Sequence, residues 1–310
     1  MTDETIAVTA VYFEHTRIQG ATIKIANASE SIQTGEKLAQ MIKHEDLVHV
    51  FALSDGLHIN GSDLVKGLAH NLPANVTITG GLSGDGARFQ ETLVFADGTP
   101  QENIVSIVGL YGNRLKVGYG SLGGWDSFGP ERIITRSEGN VLYELDGKSA
   151  LELYKKYLGE HAQGLPATGL LFPLSVHLEG NEIPVVRTIL SVDEKEQSMT
   201  FAGTIPEGSR TRLMKANFDR LIDGASGAAK TSYEAIGSTE PDLAILISCV
   251  GRKLILKQRV EEEVEGVRDV LGEHVALTGF YSYGEISPFT PGAKCELHNQ
   301  TMTITTLSEK

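Results

Sequence analysis

The side chains best able to do chemistry in this sequence follow an apolar run that is typical of a buried strand. Arg252 comes three residues after Cys249, the last residue of the run Leu243–Cys249. A guanidinium group in that place can hold a ligand carboxylate through two parallel hydrogen bonds, or it can form an ordinary salt bridge. Glu285 and Asp85 offer carboxylates that could fix a ligand ammonium, and Glu285 could instead cap a turn.

Three further side chains leave other chemistry open. Cys249 ends an apolar run, which favours a buried structural cysteine over a reactive thiol. An enzyme that used Cys249 as its nucleophile would need a neighbouring histidine and a lowered thiol pKa. Cys249 or His298 could also be the axial ligand of a haem. Trp125, the only tryptophan, lies in a glycine-rich stretch and could line a pocket or pack between domains.

Several common active-site motifs are not present in the sequence. Residues 80–86 lack the Gly-Lys-Ser/Thr ending of a phosphate-binding loop, and residues 81–85 lack the last glycine of a nucleophile elbow. His44 and His49 are five residues apart, so on a helix they would point about 140° away from each other. The acidic run 261–265 is expected to form the solvated face of its helix. We therefore expect no metal site and no enzymatic activity.

Length and composition narrow the class of protein. The chain has 310 residues with 41% hydrophobic and 22% charged residues, which is ordinary for a soluble protein of about two domains. Its net charge of −13 disfavours binding to nucleic acid or to anionic membranes. We find no membrane-spanning run and no secretory leader, and the two cysteines fit reduced thiols. We expect a cytoplasmic location and leave the oligomeric state open.

Two segments repeat one layout of strand, helix, strand and polar turn. Residues 48–56 lead through one helix to 78–86, and residues 243–251 lead through another to 277–285. In each unit we expect two parallel strands joined by a helical crossover. The polar turns would then open at one edge of the sheet, where α/β proteins usually hold ligands. The predicted fold class is α/β (mixed α+β), with two related regions of mixed sheet and flanking helices.

Hydrophobic periodicity places the other elements. It predicts strands at residues 6–13 and 21–26 and a helix over 31–43. Ser62 is the predicted N-cap of a second helix. Glycine makes up 34 of the 310 residues, about 11% against a usual value near 7%. Much of this excess lies in the repeated segments, which we interpret as turns close to a ligand.

A family resemblance rests on seven segments, which follow one another in the right order along nearly the whole chain: 80–85, 123–125, 139–150, 205–208, 248–252, 279–286 and 297–301. In these segments the chain resembles the FIST proteins, a bacterial sensory family with paired FIST N and FIST C regions. The resemblance implies a FIST N-like region at 1–146 and a FIST C-like region at 147–310. The family normally begins with a further strand–helix unit, which we expect to be missing before Ile6.

The resemblance also implies a function. Members sense small ligands, with amino acids proposed, and act with histidine kinases, chemotaxis receptors or cyclic-di-GMP enzymes; some similar proteins bind haem and sense nitric oxide. We expect a non-enzymatic sensor without a cofactor that signals through a separate partner, with a haem-based sensor or an interaction scaffold as alternatives. The predicted ligand residues are Asp55, Gly80, Gly81, Ser83, Asp85, Trp125, Cys249, Arg252, Tyr281, Tyr283, Glu285 and Asn299, with His298 added in the haem alternative.

Overall fold

Two curved β-sheets form the framework of the chain. The computed structural model describes residues 5–96, 98–180, 183–237, 239–290 and 292–310. The helices are α1 (Ser31–Met41), α2 (Gly61–Asn71), α3 (Ala150–Leu158), α4 (Phe218–Ala235), α5 (Val250–Leu256) and α6 (Val260–Leu271). Mixed sheets with flanking helices confirm the predicted α/β fold class.

The first sheet has nine strands. In spatial order they are β1 (Arg17–Lys24), β6 (Ile104–Tyr111), β2 (Leu47–Ser54), β3 (Thr77–Ser83), β17 (Ala276–Pro288), β16 (Leu243–Cys249), β19 (Met302–Glu309) and β7 (Leu115–Leu122), with β18 (Cys295–His298) paired to β17. The second sheet has eight strands: β12 (Val185–Arg187), β11 (Leu174–Val176), β15 (Arg210–Ala216), β8 (Trp125–Glu138), β9 (Val141–Leu145), β14 (Ser198–Phe201) and β13 (Ile189–Asp193), with β10 (Lys148–Ser149) paired to β9. A small hairpin joins β4 (Val94–Ala96) and β5 (Thr99–Gln101).

The nine-stranded sheet consists of two halves with the same order of pairing. In one half β1 pairs with β6 and β6 with β2, both antiparallel, and β2 pairs with β3 in parallel. In the other half β7, β19, β16 and β17 repeat this pattern. The parallel strand pairs of both predicted units are therefore confirmed, but in the second unit two helices, α5 and α6, connect β16 to β17 where one was predicted. An antiparallel contact between β3 and β17 joins the two halves at the centre of the sheet.

The two polar segments predicted to be turns are strands instead. β3 continues to Ser83, and β17 leaves β16 at Ser282 and then pairs with β3. The prediction that both segments open at one edge of the sheet is wrong, because they run in opposite directions and meet at its centre. Their glycines serve close strand packing: a Cβ atom would lie 1.8 Å from the Ala52 oxygen at Gly80 and 1.8 Å from the Leu246 oxygen at Gly279.

Helices cover one face of the nine-stranded sheet, and the other face turns inward. α1 and α2 pack on residues such as Val50 and Ile78, whereas α4 and α6 pack on Leu246 and its neighbours. The opposite face brings Thr79 of β3 and Thr305 of β19 together, with their hydroxyl oxygens 2.7 Å apart. Two strands separate β3 from β19 in the sheet, so the sheet must curve strongly for this contact to form.

The eight-stranded sheet lies between β7 and α4 in the chain and is also rolled up. Thr188 alone connects β12 to β13, which are the two edge strands of this sheet. The continuous segment 185–193 thus pairs with β11 through β12 and with β14 through β13, which closes the roll. The Ala202 N–H donates to the Thr188 carbonyl at 2.9 Å and extends the pairing with β14. The predicted boundary at residue 146 lies between β9 and β10, within this sheet, while the nine-stranded sheet takes strands from both predicted regions.

The predicted elements near the start of the chain need correction. The predicted strand at 6–13 is wrong: residues 5–13 have no regular structure, and nearly all of them are exposed. β1 begins at Arg17, four residues before the predicted start. The predicted helix over 31–43 is confirmed as α1. The cap of α2 is Asn60, whose side-chain oxygen accepts the Asp63 N–H at 3.2 Å, whereas Ser62 lies inside the helix.

Replacing Gly279 by alanine tests the close packing of the parallel strands. The new Cβ atom would overlap the Leu246 carbonyl, and we expect Gly279→Ala to lower the free energy of unfolding by about 3 kcal/mol or more. Gly20→Ala is the matched control, because its Cβ atom would meet only the Ile107 oxygen at 3.9 Å. Urea denaturation measures both changes. Equal stability of the two variants would contradict the packing described here.

Candidate functional site

Buried polar side chains collect where the two sheets meet. The last residue of β18, His298, and the two residues after it, Asn299 and Gln300, are all fully buried. Arg187, at the end of β12, reaches across from the second sheet, and its Nη1 donates to the Leu297 carbonyl at 2.9 Å. We call the set Arg187, Thr188, Thr204, His298, Asn299 and Gln300 the polar seam. It joins the two sheets through side chains that the sequence analysis, apart from Asn299 and His298, did not single out.

Arg187 is a fully buried cation whose hydrogen bonds go to uncharged acceptors. Its Nε donates to the Thr204 carbonyl at 3.1 Å, and its Nη1 donates to the carbonyls of Leu297 and, at 3.3 Å, of Val186. Its Nη2 has no hydrogen-bond partner. Burial lowers the pKa of Arg187 to about 10, and the negative charge of Glu296 offsets only part of this effect. The guanidinium therefore stays charged at neutral pH.

The segment 298–300 presents buried acceptors. His298 Nε2 lies 2.6 Å from the Ser287 carbonyl, which can only accept, so Nε2 carries the proton and Nδ1 is an acceptor. Burial lowers the pKa of His298 to about 4, so the ring is neutral at pH 7. Nδ1 of His298, Oδ1 of Asn299 and Oε1 of Gln300 all have no hydrogen-bond partner.

Such unpartnered atoms are concentrated in the seam. In the described ranges, eight buried side-chain atoms have no hydrogen-bond partner, and six of them belong to the polar seam. Each such atom costs about 1–3 kcal/mol when it is buried, and native proteins contain few of them. The six atoms comprise one donor, Nη2 of Arg187, two hydroxyl groups, on Thr188 and Thr204, that can donate or accept, and three acceptors on the 298–300 segment.

Arg252 forms a salt bridge inside the protein, which is one of the two roles that the sequence analysis left open for it. Its side chain is fully buried, and its Nε donates to Oε1 of Glu263 at 2.7 Å. Its other N–H groups reach Glu263 again and the carbonyls of Leu221, Gly123 and Gln300. All five N–H groups thus have acceptors within the protein, and none remains for a ligand carboxylate. The acidic run 261–265 was expected to form a solvated helix face, but Glu263 within it is fully buried.

Glu285 is buried at the centre of the first sheet and is engaged on both oxygens. Ser282 donates to Oε1 at 2.5 Å, and the N–H and hydroxyl of Thr301 donate to Oε2 at 3.2 and 2.9 Å. Burial raises the pKa of Glu285 to about 8. Burial, with the nearby Glu285, also raises the pKa of the Cys249 thiol, which agrees with a structural cysteine.

The remaining predicted residues hold loops and packing contacts. Asp55 accepts the N–H groups of residues 57, 58 and 103 and the Thr92 hydroxyl. Asp85 accepts three N–H groups of residues 89–91 and the Tyr283 hydroxyl, and Phe89 stacks on Tyr283 at 4.7 Å. Trp125 packs between the sheets beside Val186 and Leu221, and its Nε1 donates to the Gln300 carbonyl at 2.9 Å.

The other predicted positions lie near the centre of the first sheet. Gly80 and Gly81 are buried in β3, where a Cβ atom on Gly81 would lie 2.8 Å from the Ile247 side chain. The Ser83 hydroxyl has no partner and lies opposite Ser282 in the β3–β17 register. The Tyr281 ring has the Lys253 ammonium 5.2 Å from its centroid. Gly81 lies opposite Glu285 in the β3–β17 register, and Glu285 lies opposite His298 in the β17–β18 register, so these positions neighbour the polar seam across the sheet.

Comparison with known proteins settles the family. The model of the FIST N domain matches residues 1–148, and that of the FIST C domain matches residues 150–288. The chain belongs to the FIST family. FIST domains are sensory domains in signal transduction, so this chain carries a sensory domain. The segments that suggested the family in the sequence therefore identified it correctly.

Individual similar proteins add little to this assignment. The FIST chain is 26% identical over 208 residues to the uncharacterized protein MJ1623 of Methanocaldococcus jannaschii, a match that covers 61% of this chain and 38% of that protein. A cyanuric acid hydrolase from A. caulinodans is 10% identical and has a TM-score of 0.21, with 95% of this chain and 99% of that one covered. A second cyanuric acid hydrolase structure is 11% identical and has a TM-score of 0.20, with 96% and 100% covered. At these TM-scores neither structure bears on the FIST chain.

The haem alternative does not fit the FIST chain as it is folded. His298 already uses Nε2 for the Ser287 carbonyl, and the Phe289 ring lies edge-on against the imidazole with 4.1 Å between ring centroids. A planar macrocycle has no place against this side chain, and Cys249 is a buried thiol. The described part of the chain holds no cluster of three metal-binding side chains, and it includes no helix long and apolar enough to cross a membrane.

Arg187 is the residue of the seam that sequence reasoning missed. Its signal was a charge at the end of the run Val185-Val186-Arg187, which otherwise looks like an ordinary buried strand. Arginine is rarely fully buried unless it is paired. Thr188, Thr204 and Gln300 carry no comparable signal, because threonine and glutamine occur in strands and loops throughout the chain.

Removing the charge of Glu263 tests the role of Arg252. Glu263→Gln leaves a buried guanidinium without its carboxylate, and we expect the free energy of unfolding to fall by about 3–5 kcal/mol. The exposed pair between Arg136 and Glu144 provides the control, where Glu144→Gln should cost less than about 1 kcal/mol. Urea denaturation of both variants measures the difference. Similar losses would show that the buried pair carries no special stability.

The raised pKa of Glu285 predicts how stability depends on pH. In the folded chain the Glu285 carboxyl group keeps its proton up to about pH 8, whereas in the unfolded chain it loses the proton near its ordinary pKa of 4.5. Between these values the folded state binds more protons, so stability falls as pH rises. The buried histidines His49 and His298, with pKa values lowered to about 3 and 4, contribute a slope of opposite sign that fades only about one pH unit above their unfolded value of 6.5.

Between about pH 5.5 and 7.5 we therefore expect the slope of stability against pH to be more negative in the wild-type chain than in Glu285→Gln, by up to about 1.4 kcal/mol per pH unit. Both chains share the opposite slope of His49 and His298. Glu144→Gln should keep the wild-type slope. Denaturant unfolding at several pH values gives the slopes. An unchanged slope in Glu285→Gln would show that this carboxyl group does not hold its proton in the folded chain.

Proposed function

We propose that this FIST chain is a sensory module that binds a small polar ligand in the polar seam and signals through a separate protein. One observation carries the proposal: three consecutive buried residues, His298, Asn299 and Gln300, each present an acceptor without a partner. A ligand with N–H donors would satisfy them. An amino acid offers such donors through its ammonium group, which agrees with the ligands expected from the family resemblance.

The chemistry of the neighbouring side chains supports binding without catalysis. Cys249 stays protonated, because burial raises its pKa, and a thiol is a weak nucleophile. The oxygens of Glu285 are engaged by Ser282 and Thr301, and His298 is neutral with Nε2 bonded to a carbonyl. No activated nucleophile or free general base results from this arrangement. The proposed role is recognition of a ligand.

The location of the seam supports a role in signalling. Arg187 and the two threonines come from segments of the second sheet, and residues 298–300 come from the end of β18 in the first, so a bound ligand would add contacts between the two sheets. A histidine kinase, a chemotaxis protein or a cyclic-di-GMP enzyme is the proposed receiver, as the family resemblance suggests. The net charge of −13 argues against nucleic acid and anionic membranes as partners.

A thermal-shift screen of the twenty amino acids tests the proposal. A ligand that binds only the folded chain stabilises it, by about 2.7 kcal/mol at 100 times its Kd, so the melting temperature should rise. Asn299→Ala should reduce this rise, because it removes one of the three acceptors. Asn113→Ala is the matched control at an exposed position and should respond like the wild type.

Two results would contradict the proposal. If no amino acid raises the melting temperature of the folded protein, the interaction scaffold becomes the better interpretation. If added haem produces a Soret band that Asn299→Ala leaves unchanged and His298→Ala removes, the haem alternative replaces it.

A further inference from the structure

The segment 6–13 has the composition of a β-strand but has no neighbouring strand in the folded chain. Its residues carry no charge, and most of them are β-branched or aromatic, the types that strands favour. The backbone of this segment forms no hydrogen bond to another backbone group among the described residues. Such unpaired N–H and C=O groups form a site at which another strand can add.

Side chains of the segment 6–13 alternate between a covered and an uncovered face. Thr9 and Phe13 contact the first sheet of the same chain, Thr9 through its hydroxyl group and Phe13 through apolar packing. At the alternate positions, Ile6, Val8 and Tyr12 are 91%, 86% and 88% exposed. Large apolar side chains exposed beside one another mark an interaction surface. The segment therefore offers both an unpaired backbone and an open apolar face.

β1 offers the complementary feature, which is a strand edge without a neighbour. It is the outermost strand of the nine-stranded sheet, where β6 pairs with one of its sides and no described strand pairs with the other. Ala21 packs under the helices, whereas Ile18 is 60% exposed and Gly20 and Lys24 are also exposed. These three positions alternate with Ala21 and lie on one face of the strand. An added strand would pair with the free edge and pack its side chains beside Ile18.

The connection between the segment and β1 directs the chain away from pairing with itself. Only residues 14–16 separate the two elements, which is short enough for a hairpin. The Glu309 carboxylate instead accepts the N–H groups of residues 14 and 15, at 2.6 and 3.0 Å, and the Thr16 hydroxyl at 2.6 Å. The segment then continues to Thr278 of β17, which is four strands away from β1 in the sheet. A strand-like segment and a free edge are thus held apart within one copy.

Charge favours a second copy of the chain as the partner of both elements. Two copies carry a net charge of −13 each, so they repel one another over most of their surface. The segment 6–13 is uncharged, and β1 carries Arg17 and Lys24 but no carboxylate. Two copies can therefore approach through these elements without repulsion between carboxylates.

We infer that segment 6–13 of one copy pairs antiparallel with β1 of a second copy, and that the second copy's segment pairs in return with β1 of the first. This exchange has two-fold symmetry and closes as a dimer. With Ala10 opposite Gly20, Tyr12 lies opposite Ile18, so the uncovered faces of the two strands coincide. The inference does not depend on a ligand in the polar seam.

Sedimentation equilibrium tests the dimer. The wild-type protein should have the mass of two chains, and the double variant Val8→Asp and Tyr12→Asp should raise the dissociation constant of the dimer at least 100-fold. Both side chains are exposed in a single copy, so the double variant should keep the far-UV circular dichroism of the wild type. Phe95→Asp, at an aromatic residue outside the segment that is 71% exposed, is the matched control and should change this constant less than twofold. A wild-type protein that stays monomeric at its highest soluble concentration, or a dimer that the double variant leaves intact, would overturn the inference.

Disulfide cross-linking tests which strands pair. A tagged copy with Ala10→Cys is mixed with an untagged copy with Gly20→Cys, and oxidation should join the two copies. A Cβ atom on Gly20 would meet only the Ile107 oxygen, at 3.9 Å, so the folded chain accepts this change. In the control mixture Phe95→Cys replaces Gly20→Cys and should give no cross-link to Ala10→Cys.

A chain that carries both cysteine changes separates exchange between copies from a hairpin within one copy. If the disulfide forms only within this chain and not between copies, the segment folds back on its own β1. That result would overturn the inference, as would the absence of a cross-link between the two singly changed copies.

Discussion

The antiparallel contact between β3 and β17 is the constraint on which the rest of the structure depends. Each half of the nine-stranded sheet ends in a parallel pair, and this contact is the only place where the two pairs meet in the described sheet order. It brings Ser83 opposite Ser282 and Gly81 opposite Glu285, and β18 then adds His298 opposite Glu285. The buried polar groups of the sheet centre therefore follow from how the halves are joined.

Much of this architecture could be predicted from the sequence. The repeated units were visible because parallel strands joined by a helix leave apolar runs at a regular distance. The error lay in the glycines: Gly80 and Gly279 were interpreted as turn residues, whereas each allows a neighbouring strand's carbonyl to approach closely. Local sequence does not distinguish these two uses of glycine, because the deciding atom belongs to another strand.

The candidate site was harder to predict for the same reason. Arg252 and Arg187 both follow short apolar runs, and nothing in either run tells which arginine has a carboxylate nearby. The partner of Arg252 comes from α6, in an acidic run that looks like a solvated surface, and only the fold shows that Glu263 is buried. Whether an arginine is buried, and whether a carboxylate lies beside it, depends on how the sheets assemble. A single segment of the sequence does not contain this information.

The polar seam lies where the two sheets meet. Arg187 and Thr204 come from a rolled sheet that the chain forms between β7 and α4, while the 298–300 segment comes from the sheet that the β3–β17 contact holds together. Each sheet thus brings buried groups without hydrogen-bond partners to a shared boundary. Under the proposed function, a molecule bound in the polar seam would contact both sheets. Its binding energy would then bias the position of one sheet against the other, which is the physical requirement for a ligand to be sensed at a distance.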